Sequence, residues 1–201
     1  MPDSASTSDH AAQRRRAVTF IDGQNLFHAA KEAFGISYPS YDVRKLSQAI
    51  CDAEGWELQQ VRFYTGIPKA SDNPFWNAFW SKKLLAMTHD GIEVYRRHLR
   101  YRQGVPEEKG IDVRIAIDLI RMAHRQAYDV AVIFSQDQDL NEATEEIKTI
   151  GKEQGRWIHL ASAFPRSSAS QNTRGIDGVD WIPIDEATYR ACTDPRDYRP
   201  D

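Results

Sequence analysis

The feature that most constrains the fold of this chain is an alternation of short, β-branched apolar runs with longer amphipathic stretches, which starts at Ala17. This alternation is typical of successive βαβ units, and it predicts an α/β fold with a mainly parallel sheet. The predicted strands are 17–22, 58–65, 92–96 or 92–101, 130–135, 156–162 and 180–184. The predicted helices are 24–34, 42–53, 73–89, 111–126, 138–151 and 185–191.

The length of 201 residues fits one domain, which we place at 16–192. The Ser-, Ala- and Asp-rich segment 1–15 is predicted to be a disordered N-terminal tail, and 193–201 a C-terminal tail. With 41% hydrophobic and 27% charged residues, the composition excludes collagen-like and wholly disordered classes. The 26 Lys and Arg against 29 Asp and Glu give a net charge of -3, so any phosphate-binding surface must be local.

The cysteines and the apolar runs bear on the compartment. Cys51 and Cys192 are the only cysteines and lie far apart, which indicates neither a disulfide framework nor a zinc site and fits a reducing environment. The sequence has no apolar run long enough for export or membrane insertion. We therefore expect a cytoplasmic protein without membrane contact.

Acidic side chains follow two of the predicted strands. Asp22 ends the first strand, and Asp137 and Asp139 follow the fourth. Asp112 lies at the start of the fourth predicted helix. In open parallel sheets the ligand crevice lies at the carboxyl ends of the strands, so these four carboxylates are expected to meet there.

Carboxylates that meet in this way repel one another unless a divalent cation is bound, and all-oxygen ligation favours Mg²⁺ or Mn²⁺. Such sites are suited to phosphodiester hydrolysis. A structural alternative exists for three of the four: Asp112, Asp137 and Asp139 each stand where a helix cap is also expected.

Periodicity places Asp118 away from the other carboxylates. At 100° per residue it predicts a buried face on the fourth helix and puts Asp118 nearly opposite, where Arg114 and Arg121 offer surface ion pairs. Asp112 and Asp118 are therefore not expected to share one metal directly. The predicted buried residues are Val113, Ala116, Ile117, Ile120 and Ala123.

Three motifs together resemble the NYN or LabA-like family of the PIN-like nuclease superfamily, over about 17–162. They are Phe-Ile-Asp-Gly-Gln-Asn-Leu over 20–26, Lys-Gly-Ile-Asp-Val over 109–113 with Asp118-Leu119, and Ser-Gln-Asp-Gln-Asp-Leu over 135–140. The sequence departs from the last motif at Gln136, where the family has Gly, and at Leu140, where it has Phe.

The resemblance implies a Rossmann-like, PIN-like sheet with helices on both faces and metal-dependent cleavage of RNA. It implies an acidic site made by Asp22, Asp112, Asp137 and Asp139, the four residues proposed above as metal ligands. It also suggests Asn25 and Ser135 as positioning groups, and Asp118 as a supporting residue, since that position matches the motif.

Two segments are candidates for holding RNA. Residues 93–102 carry Arg97, Arg100 and Arg102 and lead to Lys109, so they are interpreted as a basic track beside the acidic site; the alternative is a solvated edge strand. The long polar loop 163–178 contributes Asn172 and Arg174 as further substrate-binding candidates.

The predicted helix 73–89 carries four aromatic residues near its start: Phe75, Trp76, Phe79 and Trp80. Helical spacing admits a stacking platform for bases, a core face, or a surface for a homodimer or protein partner. The carboxylates likewise admit a metal-dependent endoribonuclease that acts on single-stranded rather than duplex RNA, a catalytically silent RNA-binding or regulatory module, and a DNA-directed flap-nuclease-like enzyme.

Overall fold

The computed structural model describes residues 14–200, so most of the predicted tail 1–15 lies outside the described residues. The strands are β1 Arg16–Asp22, β2 Glu57–Ile67, β3 Glu93–His98, β4 Arg100–Arg102, β5 Val105–Glu107, β6 Val130–Phe134, β7 His159–Pro165 and β8 Asp180–Ile184. The α-helices are α1 Gly23–Phe34, α2 Val43–Ala53, α3 Pro74–His89, α4 Ile111–His124, α5 Asn141–Glu153 and α6 Glu186–Ala191.

Six strands form one sheet in the order β3-β2-β1-β6-β7-β8, and every neighbouring pair is parallel. Helices pack on both faces: α1, α2, α3 and α6 share one apolar core, and α4 and α5 share the other. The predicted α/β, Rossmann-like architecture is therefore confirmed. Strands β4 and β5 form a separate antiparallel hairpin.

The centre of the sheet is apolar on both faces because helices cover both. All five residues of β6 are buried, as are five of the seven in β1. This continuous apolar pattern is the one expected of strands in a doubly covered parallel sheet. Among residues 14–200, no helix is both long enough and apolar enough to cross a membrane.

Helix α3 places half of its aromatic residues in the core. The Asn73 side chain caps the helix by accepting a hydrogen bond from the Trp76 N–H at 3.1 Å, and Pro74 follows it. Phe79 and Trp80 are buried, which confirms the core interpretation for these two. Phe75 and Trp76 lie nearer the surface.

The predicted buried face of α4 was wrong for three residues. Val113 and Ile117 are 56% and 43% exposed, whereas Asp118 is only 3% exposed. Asp118 is buried because α4 faces β2, where the Arg62 guanidinium and the Tyr64 hydroxyl each donate a hydrogen bond of 3.0 Å to its Oδ2. Its predicted partners Arg114, which donates at 3.1 Å, and Arg121, at 4.0 Å, do pair with it, but the carboxylate end of these ion pairs is buried rather than on the surface.

Element boundaries differ from the predictions by three or more residues at three places. Strand β7 extends to Pro165 and starts at His159, later than predicted. A single 3-10 turn over Gln138–Leu140 precedes α5, which starts only at Asn141. The segment after β3 forms the hairpin β4–β5 instead of continuing as one strand.

The residues after α6 pack back onto the domain. Asp194 and Tyr198 are buried, and the Tyr198 hydroxyl donates to Asp194 Oδ2 at 2.7 Å. Asp194 also pairs at 3.7 Å with Lys83, which is fully buried and donates to the Tyr41 carbonyl at 2.9 Å. The C-terminal segment thus supplies the counter-charge of a buried lysine.

Candidate active site

A cavity of about 750 Å³ opens at the carboxyl edge of the sheet, where the strand order reverses between β1 and β6. A reversal of this kind leaves a crevice in which ligands of open α/β sheets bind. Because the loops after these two strands carry most of the acidic motif residues, the cavity is strongly acidic. Its acidic lining residues are Asp22, Glu32, Glu108, Asp112, Asp137 and Asp139.

Asp22 is held in place by the turn from β1 into α1. Its side chain caps α1 by accepting a hydrogen bond of 3.0 Å from the Asn25 N–H. Gly23 follows because a Cβ there would lie 2.4 Å from the Phe63 ring. Burial, and then the nearby charge of Asp137, raise the pKa of Asp22 to about 6, although the Asn25 N–H acts in the opposite direction.

Hydrogen bonds fix the loop after β6, both within the loop and to helix α1. Ser135 Oγ accepts a hydrogen bond from the Asp137 N–H at 3.1 Å, and Asp137 Oδ1 accepts one from the Asp139 N–H at 3.0 Å. Asn25 Oδ1 accepts the Gln136 N–H at 3.1 Å, which joins this loop to α1. Asp137 therefore caps the 3-10 turn, which agrees with the helix-cap interpretation of this residue. It also lines the acidic cavity.

Gln136, the departure from the family motif, anchors the long loop that follows β7. It is buried, and its Nε2 donates hydrogen bonds to the carbonyls of Asn172 at 3.2 Å and Arg174 at 2.8 Å. A glycine cannot make these contacts. Gln136 thus fixes the position of Asn172, which lines the acidic cavity.

Asp112 lies in the first turn of α4. The cap residue of this helix is Gly110, in the left-handed region at φ 76°, and no side chain caps the helix. The helix-cap interpretation of Asp112 is therefore wrong, because the helix starts one residue before it. The carboxylate instead lines the cavity.

Glu108 is a cavity residue that the sequence analysis missed. Its side chain lies over Gly66, and its Oε2 is buried without a hydrogen-bond partner. Burial, and then the charges of Asp22 and Asp112, raise its pKa to about 7. The sequence feature that could have indicated Glu108 is its position directly before the Lys-Gly-Ile-Asp motif. Three further residues that were not predicted also line the cavity: Gln24, His28 and Gln138.

The carboxylates of this cavity lack cationic partners. Within the described chain, none of Asp22, Glu108, Asp112, Asp137 and Asp139 forms an ion pair with Lys or Arg. In residues 14–200, no three Asp, Glu, His or Cys side chains form a ready-made metal-binding group. The unpartnered Glu108 oxygen, the raised pKa of Asp22 and the all-oxygen donors nevertheless fit a hard divalent cation.

Several predicted site residues lie outside the acidic cavity. Ser135 is buried below it, and Asp118 is held by the ion pairs of α4. Arg174 pairs with Asp177 at 2.8 Å. Arg102 is exposed on β4.

Three of the basic candidates share a separate cavity of about 460 Å³: Arg97, Arg100 and Lys109. Arg97 reaches over Gly110, where a Cβ would lie 2.5 Å from its guanidinium, and donates to the Lys109 carbonyl at 3.4 Å. Lys109 itself pairs with Glu107 at 3.2 Å. This basic cavity adjoins the start of α4, two residues from Asp112.

The NYN domain model matches residues 16–174. This range includes β1, β6 and every described residue that lines the acidic cavity. The chain belongs to the NYN domain family. This family is part of the PIN-like nuclease superfamily, whose domains are typically nucleases.

The NYN fold also appears in a solved structure. The crystal structure of a protein of unknown function from Vibrio parahaemolyticus is similar to this chain, with a TM-score of 0.56 and 19% sequence identity over 89% of this chain and 96% of that one. At this identity the likeness supports the fold alone. No curated protein matches the sequence.

Removing the charge of Asp22 is expected to stabilise the metal-free protein. Because folding raises the pKa of Asp22, the folded state binds the proton more tightly than the unfolded state does. The free energy of unfolding therefore falls as the pH rises from about 4 to about 6, and the whole loss is present above pH 6. We expect Asp22→Asn to raise the free energy of unfolding by about 1–2 kcal/mol near pH 8 and by less near pH 5.

Thermal unfolding in EDTA at these two pH values measures this effect. Asp139→Asn is the matched control, because Asp139 is exposed in the same cavity. Equal unfolding temperatures for Asp22→Asn and the parent near pH 8 would show that the charge of Asp22 carries no such cost.

Proposed function

We propose that this NYN domain is a divalent-metal-dependent endoribonuclease. The observation that carries the proposal is the acidic cavity at the strand-order reversal, which holds five carboxylates without a cationic partner in the described chain: Asp22, Glu108, Asp112, Asp137 and Asp139. A phosphodiester cannot approach these uncompensated carboxylates, whereas a cation bound among them reverses the local charge.

Asp22, Asp112, Asp137 and Asp139 would hold Mg²⁺ or Mn²⁺, since all four offer carboxylate oxygens in one cavity. When bound, the cation neutralises charge that develops on the phosphodiester and activates water for attack. The protein's own part is positioning: Ser135 holds the Asp137 loop.

Asn25 has a related positioning role, because it links α1 to the loop after β6 through the Gln136 N–H. Its backbone N–H also binds Asp22. One residue therefore fixes the distance between the two strand ends that supply the carboxylates.

Both cysteines are buried and free, which supports action in a reducing cytoplasm.

The basic cavity and the neighbouring exposed Arg102 are proposed to hold the phosphates that flank the cut. Replacing Arg97, Arg100 and Arg102 together by Gln is expected to flatten the dependence of log K on log salt by up to about two units, because each phosphate contact to a single strand contributes about 0.7. Binding should weaken equally for different sequences, since phosphate contacts do not identify bases.

This salt dependence is measured by anisotropy of labelled single-stranded RNA at several salt concentrations. The control is a triple variant to Gln at three exposed arginines that line neither cavity: Arg44, Arg125 and Arg190. If the slope of the first triple variant equals that of the control, the basic track is wrong, and the loop with Asn172 and Arg174 becomes the candidate surface.

A circular single-stranded RNA, compared with a DNA circle of the same sequence, tests the proposed activity. With Mn²⁺ present, an endoribonuclease linearises the RNA circle and leaves the DNA circle intact. Binding without cleavage would favour the silent RNA-binding module. Cleavage of DNA in preference to RNA would favour the flap-nuclease-like alternative.

A further inference from the structure

A second cavity, of about 300 Å³, lies beside the acidic cavity, and Gln24 and His28 line both. We call it the aromatic groove; it is formed where α1, the start of α3 and the β4–β5 hairpin meet, with Phe27, Trp76 and Tyr101 in its walls. The described residues that line it include no Asp, Glu, Lys or Arg. The groove is therefore an apolar extension of an acidic site.

Neighbouring aromatic rings support the Trp76 side chain. Its ring packs against Phe79, with centroids 5.2 Å apart, and against Tyr38 at 5.6 Å. The adjoining loop is fixed by the Asn77 side chain, which donates to the Pro68 carbonyl at 2.8 Å. The indole is thus held in one position with one part of its surface open to the groove.

A further part of the lining is Tyr101, which is 42% exposed on β4. Its strand neighbours Arg100 and Arg102 point to the other face of the hairpin, because side chains alternate along a strand, and Arg100 lines the basic cavity. The hairpin therefore presents an aromatic ring to the groove and cationic side chains to its opposite face.

These surfaces define the occupant. It must offer a flat apolar face to Trp76 and Tyr101 and carry no charge inside the groove, whose lining offers no counter-charge. It must also continue into a cavity of carboxylates, which would repel an acidic peptide but admits a phosphodiester accompanied by its cation. The volume lies at the lower end of the range for small-ligand sites, about 300 Å³, and does not admit a stacked duplex.

We infer that the aromatic groove binds one unpaired nucleobase of the strand whose phosphodiester lies in the acidic cavity. This inference rests on the proposed nuclease function and adds a base-binding subsite to it: Trp76 and Tyr101 would supply the preference for a single strand that the sequence leads us to expect. Stacking on aromatic rings accepts any base, so the selection concerns pairing and not sequence.

The test measures binding of labelled single-stranded RNA and of the same RNA in a duplex, with Ca²⁺ in place of Mn²⁺, so that the carboxylates hold a hard cation while binding is measured before any strand is cut. Tyr101→Ser and Trp76→Leu are each expected to weaken single-strand binding by about tenfold and to leave duplex binding unchanged. Trp157→Ala is the matched control, because Trp157 is 77% exposed and outside the groove.

Each outcome decides the inference. If both groove variants bind the single strand as the control does, or lose single-strand and duplex binding equally, the groove does not hold an unpaired base, and the nuclease proposal stands without it. If the parent binds neither RNA, the proposed function fails, and an aromatic protein-docking surface replaces both. Tyr101→Ser keeps the test valid if Trp76→Leu misfolds, since Tyr101 lies on the exposed hairpin.

Discussion

Replacing Asp137 by Asn is expected to lower the rate of RNA cleavage by about a thousandfold without unfolding the protein. The carboxylate follows the central strand β6, lines the acidic cavity and raises the pKa of Asp22 by its charge. An Asn side chain keeps an oxygen that accepts the Asp139 N–H, so the 3-10 turn is retained. The lower cleavage rate would therefore result from the missing negative charge at the cation and not from a changed turn.

Asp180→Asn is the matched control for this variant. Asp180 starts β8 at the opposite edge of the sheet, where it pairs with His159 at 3.2 Å. Single-turnover cleavage rates at saturating Mn²⁺, together with circular dichroism, measure the effect. Equal rates for the Asp137 and Asp180 variants would remove Asp137 from the catalytic machinery.

The two aspartates of α4 are expected to respond in opposite ways to the same substitution. Asp118→Asn should lower the free energy of unfolding by about 2–3 kcal/mol, because it leaves Arg62 without the buried charge that it faces. Burial alone would raise the pKa of Asp118, but hydrogen bonds from Arg114, Tyr64 and Arg62 lower it below the ordinary value.

Asp112→Asn should leave stability nearly unchanged, since no ion pair within the described chain involves Asp112, and should abolish most of the cleavage. Urea unfolding and cleavage rates, corrected for the folded fraction, give the two quantities for both variants. If Asp118→Asn is as stable as the parent but inactive, the ion-pair assignment of Asp118 is wrong and its motif position reflects catalysis.

The strand ends are the part of the site that the sequence predicted well. Asp22 and Asp137 follow apolar runs that only a buried strand explains, and parallel strands bring their carboxyl ends to one edge. The apolar pattern and the parallel topology are therefore enough to place these residues, without any side-chain contact.

The burial of Asp118 could not be predicted from periodicity. Helix α4 carries apolar residues on two faces, so its pattern does not identify one buried side. The deciding contacts come from Arg62 and Tyr64, which are more than fifty positions away in the chain. A partner of this kind is invisible in the sequence of the helix itself.

The aromatic groove depends on a hairpin that the sequence did not reveal. The turn between β4 and β5 uses Gln103 and Gly104, both at positive φ, of 52° and 79°. Two-residue hairpin turns usually show Asn-Gly or Asp-Gly at these positions, so Gln-Gly gave a weak signal. Without the turn, Arg100 and Tyr101 were interpreted as a continuation of β3.

The metal dependence of RNA cleavage decides whether the acidic cavity acts through a bound cation. Purified protein is freed of metal with EDTA, and the cleavage rate of single-stranded RNA is then measured as Mn²⁺ is added back in excess. We expect no cleavage in EDTA and saturable recovery with Mn²⁺ in the parent, but not in Asp137→Asn. Cleavage that continues unchanged in EDTA would show that the reaction needs no cation.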